Sequence, residues 1–171
     1  VSDGGGAVVI ASKDVARNTR KPPVWLIGAG EATRYWENGR DITRSAAQQS
    51  GPIAFAEAGV RPDEIDSIMI YDSFTITVLL TLESLGFCGK GEGGAYVADG
   101  NIAPDGALPI NTDGGGMSSN HPGRRGALAT IEGVRQLRGD SPGVEVPDPR
   151  ICLVNGTGGS LSATSTLVLG V

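Results

Sequence analysis

Short apolar runs that alternate with helical patterns constrain this chain more than any other feature, because that order admits few folds besides an open α/β sheet with helices on its faces. Strand-like runs stand at residues 24–27, 65–71, 151–154 and 166–169. Helical patterns stand at 43–59, 74–85 and 123–137, the last with Leu128, Ile131, Val134 and Leu137 at helical spacing. Gly59 and Gly86 are the expected C-terminal stops of the first two helices. Pro52 is expected to kink the first helix or restart it, and Asp72 or Ser73 to cap the second. The last two strands are expected to pair antiparallel about a glycine-rich turn at 156–159. A further apolar run at 7–11 reads as a buried strand with nothing before it, followed by a polar linker that ends in Lys21-Pro22-Pro23. Residues 87–109 are too long for an ordinary connection and are expected to be a functional excursion or a cover.

A chain of 171 residues buries roughly two-thirds of its unfolded surface, enough for a real core. No apolar run reaches the ~20 residues that span a bilayer, and the first residues lack the pattern of a secretory signal, so a cytoplasmic location is expected. Only two cysteines occur, Cys88 and Cys152, without metal-ligand spacing, so neither a disulfide framework nor a metal site is expected. The net charge of −5 is spread along the chain without a basic stripe, which argues against a nucleic-acid partner.

Three elements end at polar or glycine-rich corners: Tyr71-Asp72-Ser73-Phe74, Asn120-His121-Pro122-Gly123 and Asn155-Gly156-Thr157-Gly158-Gly159. Ligands of open α/β sheets bind outside the carboxyl ends of strands, where the first and third corners belong. His121, the sole histidine, precedes a helix, and its imidazole can accept a proton or donate to an oxyanion. A surface or capping histidine fits the same position. The Tyr71 hydroxyl can meet a carbonyl oxygen or move a proton, although a half-buried tyrosine beside an ordinary helix cap fits as well. Backbone N–H groups at Gly156 and Gly158 can contribute to an oxyanion hole, or belong to a plain hairpin turn.

The stretch Leu108-Pro109-Ile110-Asn111-Thr112-Asp113-Gly114-Gly115-Gly116 and the following Asn120-His121-Pro122-Gly123 resemble the LPVNTxGGG and GHPxG segments of the thiolase superfamily, in its lipid-transfer-protein (sterol carrier protein x) branch. Tyr71-Asp72-Ser73-Phe74 resembles that branch's HDCF or YDSF segment, and Leu85-Gly86-Phe87-Cys88 extends the match. Ser2-Asp3-Gly4-Gly5-Gly6-Ala7 resembles the SDGAAA strand that closes the preceding thiolase half. The resemblance implies a thiolase-like α/β half, a five-stranded mixed sheet with helices on its faces. Residues 1–20 would then be the end of the N-terminal half and a linker, and 21–171 the thiolase C-terminal domain.

The same resemblance implies an acyltransferase that makes or cleaves a carbon–carbon bond next to a coenzyme A thioester. The thioester is the substrate, and no cofactor is bound covalently. His121, Tyr71 and Asn155 fall at catalytic positions, while Gly156, Gly158, Asp72 and Ser73 fall at oxyanion or substrate-binding positions. The nucleophilic cysteine of thiolases lies upstream, so this segment alone is expected to be inactive and to need the N-terminal thiolase half, within a homo-oligomer. Asn155 stands where other thiolases carry a second catalytic cysteine. Some tyrosine-bearing members are retro-aldolases of steroid or lipid side-chain thioesters that work with a zinc-ribbon/OB-fold partner protein. A non-catalytic subunit that binds lipid-CoA is the third alternative.

Overall fold

A computed structural model describes residues 3–34 and 41–171. Strands β1 (Trp25–Thr33), β2 (Ser67–Ile70), β3 (Ile151–Gly158) and β4 (Ala163–Gly170) form one mixed sheet in the order β1-β4-β3-β2. The hairpin β3–β4 is antiparallel, as is β1 against β4, while β2 runs parallel to β3.

Strands β2, β3 and β4 alternate two apolar faces, and helices cover both, whereas the edge strand β1 is covered by α2 on one face. Ile68, Ile70, Leu153 and Val168 face α2 (Ala47–Ala58) and α3 (Thr75–Leu85), packing on Ala54, Phe55, Val78 and Leu82. Met69, Cys152, Val154 and Leu169 face α5 (Arg125–Arg138), packing on Ala129 and Leu137. Such near-continuous apolar strands are what a sheet buried on both sides requires, and each fully buried large aliphatic side chain contributes about 1.5–3 kcal/mol. The excursion at 87–109 is a cover: Phe87, Ile102, and Tyr96 and Val97 of the short helix α4 (Gly93–Ala98) pack on the α2–α3 side of the core.

Several expectations change. The sheet has four strands among the described residues, where five were expected. Residues 108–111, which lie where a fifth strand could join β2, make only a single parallel bridge, Ile68 to Ile110, because Pro109 has no N–H to donate and Asn111 turns away at φ 48°. Residues 7–11 form no strand: no sheet edge pairs with them, and Val9 and Ile10 are 90% and 91% exposed. Ser2 of the strand-like motif lies outside the described residues. Gly4 and Gly6 lie instead against Pro122 and the α5 side chains Leu128 and Ile131. After them comes a short helix, α1 (Lys13–Arg17). The segment is then tied to the end of α5, where Lys21 pairs with Asp140 at 2.5 Å and Arg138 Nε donates to the Pro22 carbonyl at 2.9 Å.

Helix α2 neither kinks into two nor restarts at Pro52, which sits inside it on the exposed side where solvent can serve the unpaired Gln48 carbonyl. It stops at Gly59 and α3 stops at Gly86, both left-handed, at φ 69° and 86°. The N-cap of α3 is Phe74 and no side chain caps it; Asp72 and Ser73 are engaged elsewhere.

Candidate active site

Strand β2 is buried along its whole length and delivers Tyr71 at its carboxyl end. The Tyr71 N–H donates to the Asn155 carbonyl at 2.9 Å, extending the parallel ladder by one rung and placing the residue beside the end of β3. A π-helical turn (Gly115–Ser119) and residues 120–124 then bring His121 back over the same corner. His121 Nε2 lies 2.9 Å from the Tyr71 hydroxyl, and the two rings are tilted with centroids 5.3 Å apart. Either group can carry the shared proton, so the pair can pass one to or from a bound molecule.

The pair opens on a cavity of about 460 Å³ at the carboxyl end of β2 and β3. Gly156 and Gly158 line it with Arg124, Arg125 and Thr157. Both glycines belong to β3, not to the turn, which falls at residues 159–162. A methyl group at Gly156 would meet only Ser165 Oγ, at 3.7 Å, so glycine there keeps open a wall that a side chain would fill.

Three expected site residues face away from this cavity. Asn155 is fully buried, and its Nδ2 donates to Thr166 Oγ1 at 2.9 Å and the Ser165 carbonyl at 3.3 Å. The pleat explains this: residues 153 and 155 share the α2 face, whereas 154 and 156 share the α5 face where the cavity lies. Ser73 Oγ pairs with Thr77 Oγ1 at 3.0 Å in the first turn of α3. Asp72 is buried, with its carboxylate accepting from the Gly116 N–H at 2.6 Å and the Met117 N–H at 3.2 Å. Both of its oxygens are thus engaged by the glycine turn and not by the cavity.

Arg124 and Arg125 were missed by sequence reasoning. Arg125 is buried, and its guanidinium pairs with Asp113 while Asp113 accepts the Gly115 N–H at 3.0 Å. Its signal was available, since two basic residues at a helix N-terminus oppose the dipole and call for a local carboxylate or anion.

Neither cysteine is equipped as a nucleophile. Burial on the α5 face pushes the Cys152 thiol up to about 12, and burial also raises that of Cys88. At pH 8 the thiolate fraction of Cys152 is therefore about one part in 10⁴. A thiol-reactive chromogenic reagent should leave Cys152 untouched in the folded protein and modify Cys88 slowly, with both reacting in denaturant. Rapid modification of Cys152 under native conditions would contradict its placement. Among the described residues no cluster of three metal-ligating side chains is present, and no helix is long and apolar enough to cross a membrane.

The model of the thiolase C-terminal domain-like family matches residues 28–171. An acetyl-CoA acetyltransferase of Methanothermobacter thermautotrophicus is 36% identical over 94% of this chain and 43% of its own length. A steroid side-chain-cleaving aldolase of Thermomonospora curvata is 35% identical over 99% of this chain and 44% of its own. The solved Ltp2-ChsH2(DUF35) aldolase superposes with a TM-score of 0.84 at 34% identity, covering 92% of this chain and 42% of that one. The chain thus spans less than half the length of these relatives. With sterol carrier protein 2 of Oryctolagus cuniculus, 31% identical over 97% of this chain and 32% of its own length, the matched segment, the mixed sheet and these likenesses show that the chain belongs to the thiolase superfamily, as a thiolase C-terminal domain of the sterol-carrier-protein type.

Proposed function

We propose that this chain supplies the proton-handling side of an active site that makes or breaks a carbon–carbon bond next to a coenzyme A thioester, in a thiolase-type acyltransferase. The observation that carries the proposal is the Tyr71–His121 contact at 2.9 Å on the wall of an open cavity at the strand ends. His121 would steady the developing enolate or oxyanion, with backbone N–H groups at Gly156 and Gly158 as further donors. Acyl transfer also needs a nucleophilic thiol, which neither cysteine of this chain provides. The thiol would come from an N-terminal thiolase half that residues 1–20 adjoin, and this segment alone would be inactive. Phe74, Ile76 and Met117, exposed apolar side chains in or next to the segments that Asp72 joins, support a face for that half. A homo-oligomer in the cytoplasm completes the reading.

A second reading, retro-aldol cleavage, is favoured by one specific feature: the group beside His121 is a phenol, and no thiol among the described residues stands there. The name of the Ltp2-ChsH2(DUF35) aldolase joins two components, which supports a partner protein for this chemistry, and a zinc-ribbon/OB-fold protein is the partner we propose. Tyr71→Phe in the whole protein separates the two. Under acyl transfer the phenol only orients the His121 imidazole and moves no proton, so thiolytic cleavage of a 3-ketoacyl-CoA should stay within about tenfold of the parent. Loss of only the retro-aldol cleavage of a 3-hydroxyacyl-CoA, by ~10²–10⁴ as for a missing general acid or base, would overturn the acyltransferase reading and install the second.

A further inference from the structure

Tyr71 and His121 are 50 residues apart in sequence, and nothing local in either segment makes them meet. We infer that Asp72 is the positioning residue that joins them: it clamps the glycine turn to the end of β2, and the turn in turn fixes the imidazole against the phenol. Asp72 directly follows Tyr71, so any group it holds is registered to Tyr71 itself. Its two carboxylate oxygens take two successive amides, Oδ1 from Gly116 at 2.6 Å and Oδ2 from Met117 at 3.2 Å.

The turn is packed tightly on this carboxylate and reaches the imidazole on its other side. A Cβ built on Gly116 would lie 3.0 Å from Asp72 Oδ1 and 3.5 Å from His121 Cδ2, and one on Gly115 would run into Asp72 Oδ2. A side chain at either position would crowd the carboxylate, and Gly115 also has a left-handed φ of 66°, which accounts for the glycines at 115 and 116. Asp113 grips the preceding amide, Gly115, at 3.0 Å from the α5 side. Two carboxylates thus hold three consecutive amides. Asn111 Oδ1 accepts the Ile70 N–H at 2.8 Å, so the same loop is fastened to β2 on both sides of Tyr71.

The catalytic weight of this clamp rests on the proposed role of the Tyr71–His121 pair, but its existence can be read without turnover. The whole protein is labelled with ¹⁵N-histidine, and the His121 resonances are assigned by their loss in His121→Gln. Tyr71→Phe defines the signature of an imidazole without its phenol. Asp72→Ala should move the Nε2 resonance in the same direction and by at least half as much. Asp66→Ala is the matched control, because Asp66 Oδ2 also accepts two successive backbone amides, Arg150 and Ile151, both at 2.8 Å, where β3 begins and not where it ends at the cavity. That variant should leave the His121 signature at its parent value. Asp72→Asn, which keeps the size and one acceptor, decides the matter if Asp72→Ala does not fold, and should show a smaller displacement in the same direction. A parent-like His121 signature in the folded Asp72 variant, or an equal displacement in Asp66→Ala, would overturn the inference. Since no activity is measured, failure here leaves the proposed chemistry standing, and failure of that chemistry leaves the clamp standing.

Discussion

His121→Ala in the whole protein should lower kcat/KM by ~10²–10³ for whichever carbon–carbon cleavage the protein performs, with almost no loss of stability. The size follows from the cost of deleting one preorganised oxyanion donor, about 2.7–4 kcal/mol of transition-state stabilisation. Water cannot restore it, because a solvent molecule at the vacated position is not held at 2.9 Å from the Tyr71 hydroxyl and must reorganise as charge develops. The stability effect should be small because His121 is exposed and makes one side-chain hydrogen bond, worth about 0.5–1.5 kcal/mol at most. Rates and denaturant midpoints measured on the same preparation separate the two. A decrease below tenfold in a folded variant would remove His121 from the reaction.

The largest effect on stability is expected far from the chemistry, from Gly30→Ala. Gly30 is a buried residue of β1 on which helix α2 lies backbone to backbone. An added Cβ would run into the Ser50 carbonyl oxygen and stand 3.0 Å from the Ala54 nitrogen. Those are main-chain atoms of a helix and cannot swing aside, so α2 must lift. Lifting it loosens Ala54 and Phe55 from the core and stretches the buried bonds from Ser50 Oγ to Thr166 Oγ1 at 2.8 Å and Thr164 Oγ1 at 3.1 Å. Overpacking costs about 1–3 kcal/mol, and a buried hydroxyl left without a partner about 1–3 more, so a loss of ~2–5 kcal/mol is expected by urea or guanidinium unfolding. Gly94→Ala provides the contrast: a Cβ there meets nothing within 4 Å and the residue is helical in α4, so the change should be neutral or stabilising by up to about 1 kcal/mol. Equal midpoints for the two variants would show that α2 does not bear on β1 as described.

What was legible in the sequence, and what was not, divides by the range of the interaction. The apolar runs of β1 to β4, the helices α3 and α5, and the stops at Gly59 and Gly86 follow from local pattern and turn chemistry, and they reappear with shifts of a few residues. The corner that holds Tyr71 and His121 was pointed to by motif and resemblance, but their contact at 2.9 Å depends on a turn 45 residues away from β2. Asp72 read as a helix cap because Asp favours such places, whereas its partners, Gly116 and Met117, belong to that distant turn. Asn155 was misplaced by one step of the pleat, since only register against β4 decides which of Asn155 and Gly156 meets the cavity. The expected fifth strand is missing because residues 7–11 find no sheet edge, and beside β2 residues 108–111 are held to one bridge by Pro109 and the left-handed turn at Asn111.

The strand order has a consequence for how the chain comes to be folded. Strands β1 and β2 never touch; each is joined to the sheet only through the hairpin at residues 151–170, β1 to β4 and β2 to β3. During synthesis, the apolar faces of β1 and β2 therefore emerge with no ladder to join, save the bridge at Ile68 and Ile110, until residues 151–170 have left the ribosome. Pairing of Trp25 with Gly170 then closes a loop of almost the whole chain, the kind of late, long-range step that folds slowly and leaves sheet edges open to unwanted partners. The covalent order thus makes the β3–β4 hairpin the piece for which both β1 and β2 must wait, and a nascent chain halted before residue 151 should leave their apolar faces uncovered, whatever the stability of the finished domain.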